Sequence, residues 1–507
     1  MPCAHAGHHP AEDHDPGPPD HEPPGHSAHP DRSAAAEAGH GGTASAATDP
    51  RRWTALALIC AAQFMLVLDV TVVNVALPDM AADLSLGRAA LTWVVTAYAL
   101  VFGGLMLLGG RLADALGARR TLLAGLVVFT AASLLTGLAQ NAPALIAGRV
   151  AQGVGAALLS PAALAIVTTA FHGAERTKAL GVWAAIGGTG SAAGVLLGGA
   201  LTAGPGWQWV FYINVPVGLA LLAAIPALVP ARAAAPAVRL DVPGALLVTA
   251  GTGALIYGLV RAGDSGWSDP ATLLALGGSA ALYGVFALVE RASRAPLMDL
   301  RMFTRRPVLA GSFLMLIATA LLIALFFLGS VDLQHARGHG PMATGLVFLP
   351  VAVAVGLGAH LGSRLLGRLG GRAVASAGLA VAAAGGAPLT LLPAGSPVYA
   401  TLLPGLSLTA FGVGAVFVAA TSTALATVDH REAGLASGVV NTFHEVGGSV
   451  GVAVVSSVAA AGITVGEASG FTAAYTVLAV TAAVAAALSL AVVPAGRPPS
   501  TGGPYVH

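Results

Sequence analysis

From Trp53 onward the chain alternates long apolar runs with short polar breaks. The runs lie near 54–76, 89–110, 120–139, 144–170, 180–202, 208–229, 241–261, 271–290, 308–332, 342–361, 372–393, 398–427, 437–462 and 471–493. A helical span needs about 20 apolar residues, whereas a barrel strand needs only about ten. In lipid each segment must satisfy its own backbone hydrogen bonds, so runs of this length predict helices. The pattern therefore predicts an all-α membrane protein with about fourteen spans.

Composition agrees. The 507 residues are 56% hydrophobic and only 9% charged, with a mean hydropathy of +0.79. Soluble domains carry about 25% charged residues, so most of this surface is not built for water. A net charge of +1 argues for no nucleic-acid partner. Cys3 sits in a polar stretch and Cys60 in an apolar run, which makes no disulfide framework. Residues 1–50 are rich in His, Pro, Asp and Gly and lack an apolar core, so a disordered tail without a secretory leader is expected. His-rich tracts can bind metals, but no fixed ligand spacing recurs among His5, His8, His9, His14, His21, His26, His29 and His40. No metal site and no cofactor are expected.

The placement of arginine sets the orientation. With the N-terminus inside, Arg51, Arg52, Arg111, Arg119, Arg120, Arg176, Lys178, Arg232, Arg239, Arg364, Arg368, Arg372, Arg431 and Arg497 all fall on the cytoplasmic side. Arg88, Arg261 and Arg337 fall outside. Both termini are thus expected in the cytoplasm of a cell-membrane protein. The break at 291–307 carries Arg291, Arg294, Arg301, Arg305 and Arg306 beside Leu297, Met298, Leu300, Met302 and Phe303. It reads as an amphipathic linker along the inner surface.

Several motifs carry chemistry. Gly110-Arg-Leu-Ala-Asp114-Ala-Leu-Gly117-Ala-Arg119-Arg120 follows the second run, with a degenerate copy, Ser363-Arg-Leu-Leu-Gly367-Arg368-Leu-Gly370-Gly371-Arg372, after the tenth. The first run holds Leu68-Asp69-Val-Thr-Val-Val-Asn74-Val-Ala-Leu-Pro78, and the sixth opens Trp207-Gln208-Trp209 and continues to Asn214-Val-Pro216-Val-Gly218. The fourth contains Arg149-Val-Ala-Gln152-Gly153-Val-Gly155. In the fifth, Gly190, Gly194 and Gly198 recur every four residues beside Gly199, making one bare face for close packing. Gln334…Gly338…Pro341…Gly345…Pro350 and Gly434-Leu-Ala-Ser437-Gly438…Asn441 lie further on.

Together these stretches, over about residues 53–493, resemble the major facilitator superfamily, and within it the fourteen-span drug:proton antiporters of EmrB/QacA type. The resemblance implies a six-helix bundle at 51–230, two inserted helices at 241–290, the linker at 291–307, a second bundle at 308–493 and a cytoplasmic tail at 494–507. It implies a cytoplasmic gating motif at Gly110, Asp114, Gly117, Arg119 and Arg120, and an antiporter packing motif at Gly190, Gly194, Gly198 and Gly199. Two positions depart from the family pattern. Gln208 stands in place of an arginine and Val195 in place of a proline, which would have bent the helix.

An ionisable group costs roughly 2.5–3.5 kcal/mol at mid-membrane, so those inside apolar runs need a reason to be there. Asp69 falls about 22 Å along a span that starts inside, and Arg149 about 8 Å into one that starts outside; both lie in the outer half. Nearby positive charge favours an ionised carboxylate and desolvation disfavours it, so separating such a pair exchanges a proton. Asp69 is expected to carry the proton and Arg149 to modulate it; the alternative is a static ion pair locking two spans. His444, Glu445 and Asn441 in the thirteenth run are candidates for a substrate or second proton site, against a plain polar helix contact. Asp332 and His335 are expected at the interface and His360 at a solvated boundary.

The expected function is proton-coupled antiport of small amphipathic drugs or antibiotics by a monomer in the lipid bilayer. The alternatives are a facilitator or symporter for one metabolite, and a metal-handling or sensing protein built on the His tail. No Walker loop, Gly-x-Ser-x-Gly elbow or paired-His helix supports an enzyme.

Overall fold

The computed structural model describes residues 51–171, 173–229, 241–293, 296, 302, 304–391, 397–426, 433–460 and 468–495. The 1–50 tail, residues 294, 295, 297–301 and 303 of the 291–307 linker, and most of the 494–507 tail lie outside the described residues. All regular structure among the described residues is helical. The helices are α1 (Arg51–Leu84), α2 (Arg88–Leu116), α3 (Ala118–Gly137), α4 (Ala142–Ala170), α5 (Gly173–Ala203), α6 (Trp209–Tyr212) and α7 (Asn214–Leu228). They continue as α8 (Val242–Ser265), α9 (Pro270–Ala292), α10 (Arg306–Val331), α11 (Pro341–Gly386), α12 (Leu403–Leu425), α13 (Ala433–Val458) and α14 (Ala468–Val492). Eleven stretches of the described residues are long and apolar enough to cross a membrane, with α6 and α7 counted as one. Side chains within α5 and α13 are described only in part.

Local chemistry sets the helix ends. Asn141, Asp241 and Asp269 cap α4, α8 and α9, each accepting from the backbone amide three residues on, with proline in the first turn. α1 runs past its apolar stretch to Leu84, where Ser85 takes φ 52° and the Leu86 amide donates to the Ala81 carbonyl at 3.0 Å.

Two breaks without solvent-sized loops follow the repeated motif. Gly117 separates α2 from α3 with φ 92°, and Gly370 interrupts α11 with φ 81°. A side chain rarely tolerates this conformation. The two glycines occupy the same register of the two motif copies. So do the arginines two residues on: Arg119 donates to the Pro226 carbonyl at 2.8 Å, and Arg372 to the Val493 carbonyl at 2.7 Å. Each arginine thus satisfies a carbonyl at the C-terminal end of α7 or α14, a place where helix acceptors lack partners.

Packing divides the helices into an earlier group, α1–α7, and a later one, α10–α14, joined through α2 against α13 and α5 against α11. α8 lies against both α2 and α13, and α9 packs chiefly on α8. At the end where α1 finishes, here the Leu84 end, one core runs through both groups, from Val72 and Leu77 to Phe327, Phe348 and Val455. At the opposite, Arg51 end, the core of α1–α5 and α7 stands separately. Among the described residues a small cluster of Met302, Val308 and Val439 with Leu107 and Phe443 bridges the groups there. Glycines allow the closest approaches: a Cβ on Gly412 of α12 would stand 2.6 Å from the Ala382 nitrogen of α11. A Cβ on Gly277 of α9 would meet nothing within 4 Å.

Gly412→Val is therefore expected to destabilise the fold by about 1–3 kcal/mol, the usual cost of overpacking, whereas Gly277→Val leaves it unchanged. Thermal unfolding in one detergent reads both variants, and equal midpoints would contradict the close α11–α12 contact.

Candidate functional site

α1 and α4 bring Asp69 and Arg149 together, both completely buried. The Arg149 Nη1 donates to Asp69 Oδ2 at 2.5 Å. The second carboxylate oxygen, Oδ1, accepts from Gln152 Nε2 and from Asn214 Nδ2, each at 3.0 Å. Gln152 Nε2 also donates to Ser133 Oγ at 2.9 Å. Arg149 also donates from Nη1 to Gln152 Oε1 at 2.9 Å and from Nε to the Val94 carbonyl at 3.0 Å. Its guanidinium lies over the Tyr98 ring, 4.4 Å from the centroid. Five helices, α1, α2, α3, α4 and α7, thus close around one carboxylate.

Their arrangement follows from sequence spacing. Gln152 lies three residues after Arg149 and so shares its face of α4. The glycine stripe of α5 lies on α1: a Cβ on Gly190 would meet Val67, one on Gly194 would meet Thr71, and one on Gly198 would meet Val72 and Val75. Gly199 instead faces Pro341 and Met342 of α11, at the contact between the two groups. Val195 continues the helix where the family pattern has proline.

The other candidates scatter. His444 Nδ1 and Glu445 Oε1 lie 3.1 Å apart, and Glu445 stands against Gly103 of α2 in the opposite group. Asn441 is exposed. In the gating motif, Asp114 and Arg120 are exposed while Gly117 makes the turn. Just before the motif, Gly109 sits against the Ala157 carbonyl of α4, whereas a Cβ on Gly110 would meet only Pro161 at 3.8 Å.

Three polar residues have surroundings that spacing along the chain does not show. Arg88 is not a loop residue facing the outer solution but is 5% exposed. It donates to Asp264 Oδ1 at 3.0 Å, the Val260 carbonyl at 2.7 Å and Ser456 Oγ at 3.2 Å, tying α2 to α8 and α13. Its place near the start of a helix gave no sign of burial. Asp332, at the end of α10, is 3% exposed. Gln208 keeps a polar contact despite replacing an arginine: Trp207 Nε1 and Gln208 Nε2 donate to Asp83 Oδ2 at 2.8 and 3.4 Å. Ser133 and Tyr98 belong to the Asp69 site without any motif announcing them. Among the described residues no cluster of metal-ligating side chains occurs. A shallow apolar groove lies between α11 and α14, lined by Ala383, Ala387, Thr476 and Ala479, and no residue of the Asp69 site touches it.

Residues 59–452 match the model of the Major Facilitator Superfamily. The chain belongs to that family. It is a multi-pass membrane transporter of the superfamily, not an enzyme. It is 44% identical to the puromycin resistance protein pur8 of Streptomyces alboniger, over 81% of this chain and 82% of that one. It is 39% identical to the cephamycin export protein CmcT of Amycolatopsis lactamdurans, over 81% and 85%. The multidrug resistance protein Stp of Mycobacterium tuberculosis (strain CDC 1551 / Oshkosh) is 36% identical, over 78% and 74%. Among solved structures, a bacterial homolog of the human lysosomal transporter Spinster superposes with a TM-score of 0.62 at 16% identity, covering 88% of this transporter and 97% of that chain.

A buried pair stripped of one partner leaves an uncompensated charge, which costs about 3–5 kcal/mol. Arg149→Ala alone is expected to lower thermal stability by that order, and Asp69→Asn combined with Arg149→Gln by less. A double-mutant cycle on unfolding midpoints checks the coupling; additive effects would mean that the two side chains are not paired.

Proposed function

We propose that this transporter is a proton-coupled antiporter that exports small amphipathic organic compounds, drugs or antibiotics, across the cytoplasmic membrane by alternating access. The observation that carries the reading is a carboxylate sealed in a five-helix cage with Arg149, in a chain akin to resistance and export proteins whose named compounds differ widely. An ionised carboxylate in apolar surroundings needs its cation and its donors. When the helices rearrange and Arg149 withdraws, Asp69 takes a proton, and the cycle carries it inward as cargo leaves.

Fourteen spans fit this reading. Adding α5 and α13 to the eleven stretches and dividing α11 at Gly370 gives that number. We place both termini in the cytoplasm on the arginine asymmetry, so the Leu84 end faces outward. α1–α7 and α10–α14 then form the two bundles, with α8 and α9 inserted between them. The shared core at the Leu84 end supports an inward-facing state. Glu445, with His444 and the exposed Asn441 near it, lies at the contact between the bundles and is assigned to cargo recognition, its carboxylate favouring cationic compounds.

In a pump-deficient host, the wild-type chain is expected to raise resistance to several amphipathic antibiotics, and a protonophore to abolish the gain. Asp69→Asn abolishes it for every compound, whereas Glu445→Gln lowers it selectively for cations. In reconstituted vesicles, acid on the outward side should stimulate export. Transport indifferent to an imposed pH gradient would overturn the mechanism.

A further inference from the structure

α10 does not end as an ordinary helix. Its last turn, Asp332–Ala336, is a π-helix, closed by the Arg337 amide donating to the Asp332 carbonyl at 3.1 Å. Isolated π turns occur frequently at functional sites. This one buries Asp332 among Val331 and Leu333, which are wholly enclosed. Among the described residues its carboxylate accepts from Arg337 and Tyr475, and these contacts are long. Arg337 Nε reaches both oxygens at 3.3 Å, and Tyr475 Oη of α14 reaches Oδ2 at 3.3 Å. The donors on Asp69 lie at 2.5–3.0 Å. The charged and titratable groups facing Asp332 are Arg337, His339 and Tyr475, with His335 on the same turn. His339 Nδ1 is buried and has no hydrogen-bond partner among the described residues.

The same turn presents Gln334, whose Nε2 donates to the Val75 carbonyl of α1 at 2.8 Å and to Ser330 Oγ at 3.2 Å. The first of these bonds crosses between the two groups of helices, beside the core that closes the Leu84 end. A buried carboxylate that only weakly holds its donors thus shares one turn with a contact across the closure. Arg337 keeps 12% of its side chain in solvent, so the partner of Asp332 reaches the solution at that end.

We propose that Asp332 is a second proton-binding site, in the later group of helices, whose protonation from the solution at the Leu84 end releases the Gln334–Val75 contact and opens that end. The ionised carboxylate holds Arg337 and the Tyr475 hydroxyl and so keeps the π turn in the register that aims Gln334 at α1. A proton on Asp332 removes the attraction for Arg337, the turn relaxes and the cross-group bond is lost. This inference rests on the proton-coupled reading, and it adds a gate at the face where cargo leaves and protons enter.

The test uses the full chain in lipid discs, with Cys3 and Cys60 replaced by serine and Val75→Cys as a reporter in the closure. Maleimide labelling of that cysteine, normalised to an exposed Ser85→Cys control, is expected to be slow at neutral pH and to rise on acidification. With Asp332→Asn added, labelling should be fast at both pH values; Tyr475→Phe, which removes one donor, should shift the rise toward neutral pH. Infrared difference spectra should show a protonated carboxyl band on acidification that Asp332→Asn abolishes and Asp69→Asn does not. A band unchanged by Asp332→Asn overturns the proton site. Slow labelling in Asp332→Asn with the acid response retained overturns the link to the gate. Neither readout depends on transport, so vesicles that ignore a pH gradient would defeat the antiport reading alone.

Discussion

A charged pair enclosed by apolar helices survives only where every polar atom is answered, and the Asp69–Arg149 pair shows how many elements that takes. The two carboxylate oxygens need Arg149, Gln152 and Asn214, and the guanidinium needs Gln152, a backbone carbonyl of α2 and the face of Tyr98. All of these side chains are buried. The position of α2, α3, α4 and α7 around α1 is therefore constrained by hydrogen-bond geometry as well as by packing. The glycine stripe of α5 adds the remaining wall by letting that helix lie close on α1. A small displacement of any of these helices leaves a donor or acceptor unmatched in a medium where the penalty is largest, and this makes such a site responsive to conformational change.

The earlier and later groups meet through different chemistry at different places. Glycines and small side chains bring α5 to α11, and polar bonds from Arg88 and Thr92 to Ser456 bring α2 to α13. α8 is not a bystander in this arrangement. Asp264 and the Val260 carbonyl complete the coordination of Arg88, and Ser457 of α13 donates to the Leu259 carbonyl. α8 is thereby fastened to the seam between the two groups.

The two copies of the glycine–arginine motif show what duplication preserves. Gly117 and Gly370 share a backbone conformation that side chains avoid, and Arg119 and Arg372 share the task of satisfying a carbonyl where the last helix of each group ends. The acidic member differs: Asp114 has no counterpart at Gly367. Turn geometry and helix termination are common to both copies, while the carboxylate belongs to one.

Much of this was legible in the chain itself. Hydropathy located the membrane-crossing stretches because length and apolarity are local properties. The depth of Asp69 and Arg149 placed them at a common level because helical rise is constant. Gln152 stood in the same motif as Arg149, but its bond to Asp69 needed the packing of α4 on α1. What spacing along one helix cannot report is which faces of different helices meet. Ser133, Tyr98 and Asn214 became partners of one carboxylate only when five helices packed, and Arg88 became buried only because α8 and α13 supplied its acceptors. The burial of Asp332 depended on a turn with one extra residue and on Tyr475, far away in sequence. The sequence by itself determined the helices and the family. Tertiary packing decided which polar groups found one another, because that choice depends on rotations about helix axes that hydropathy along the chain does not encode.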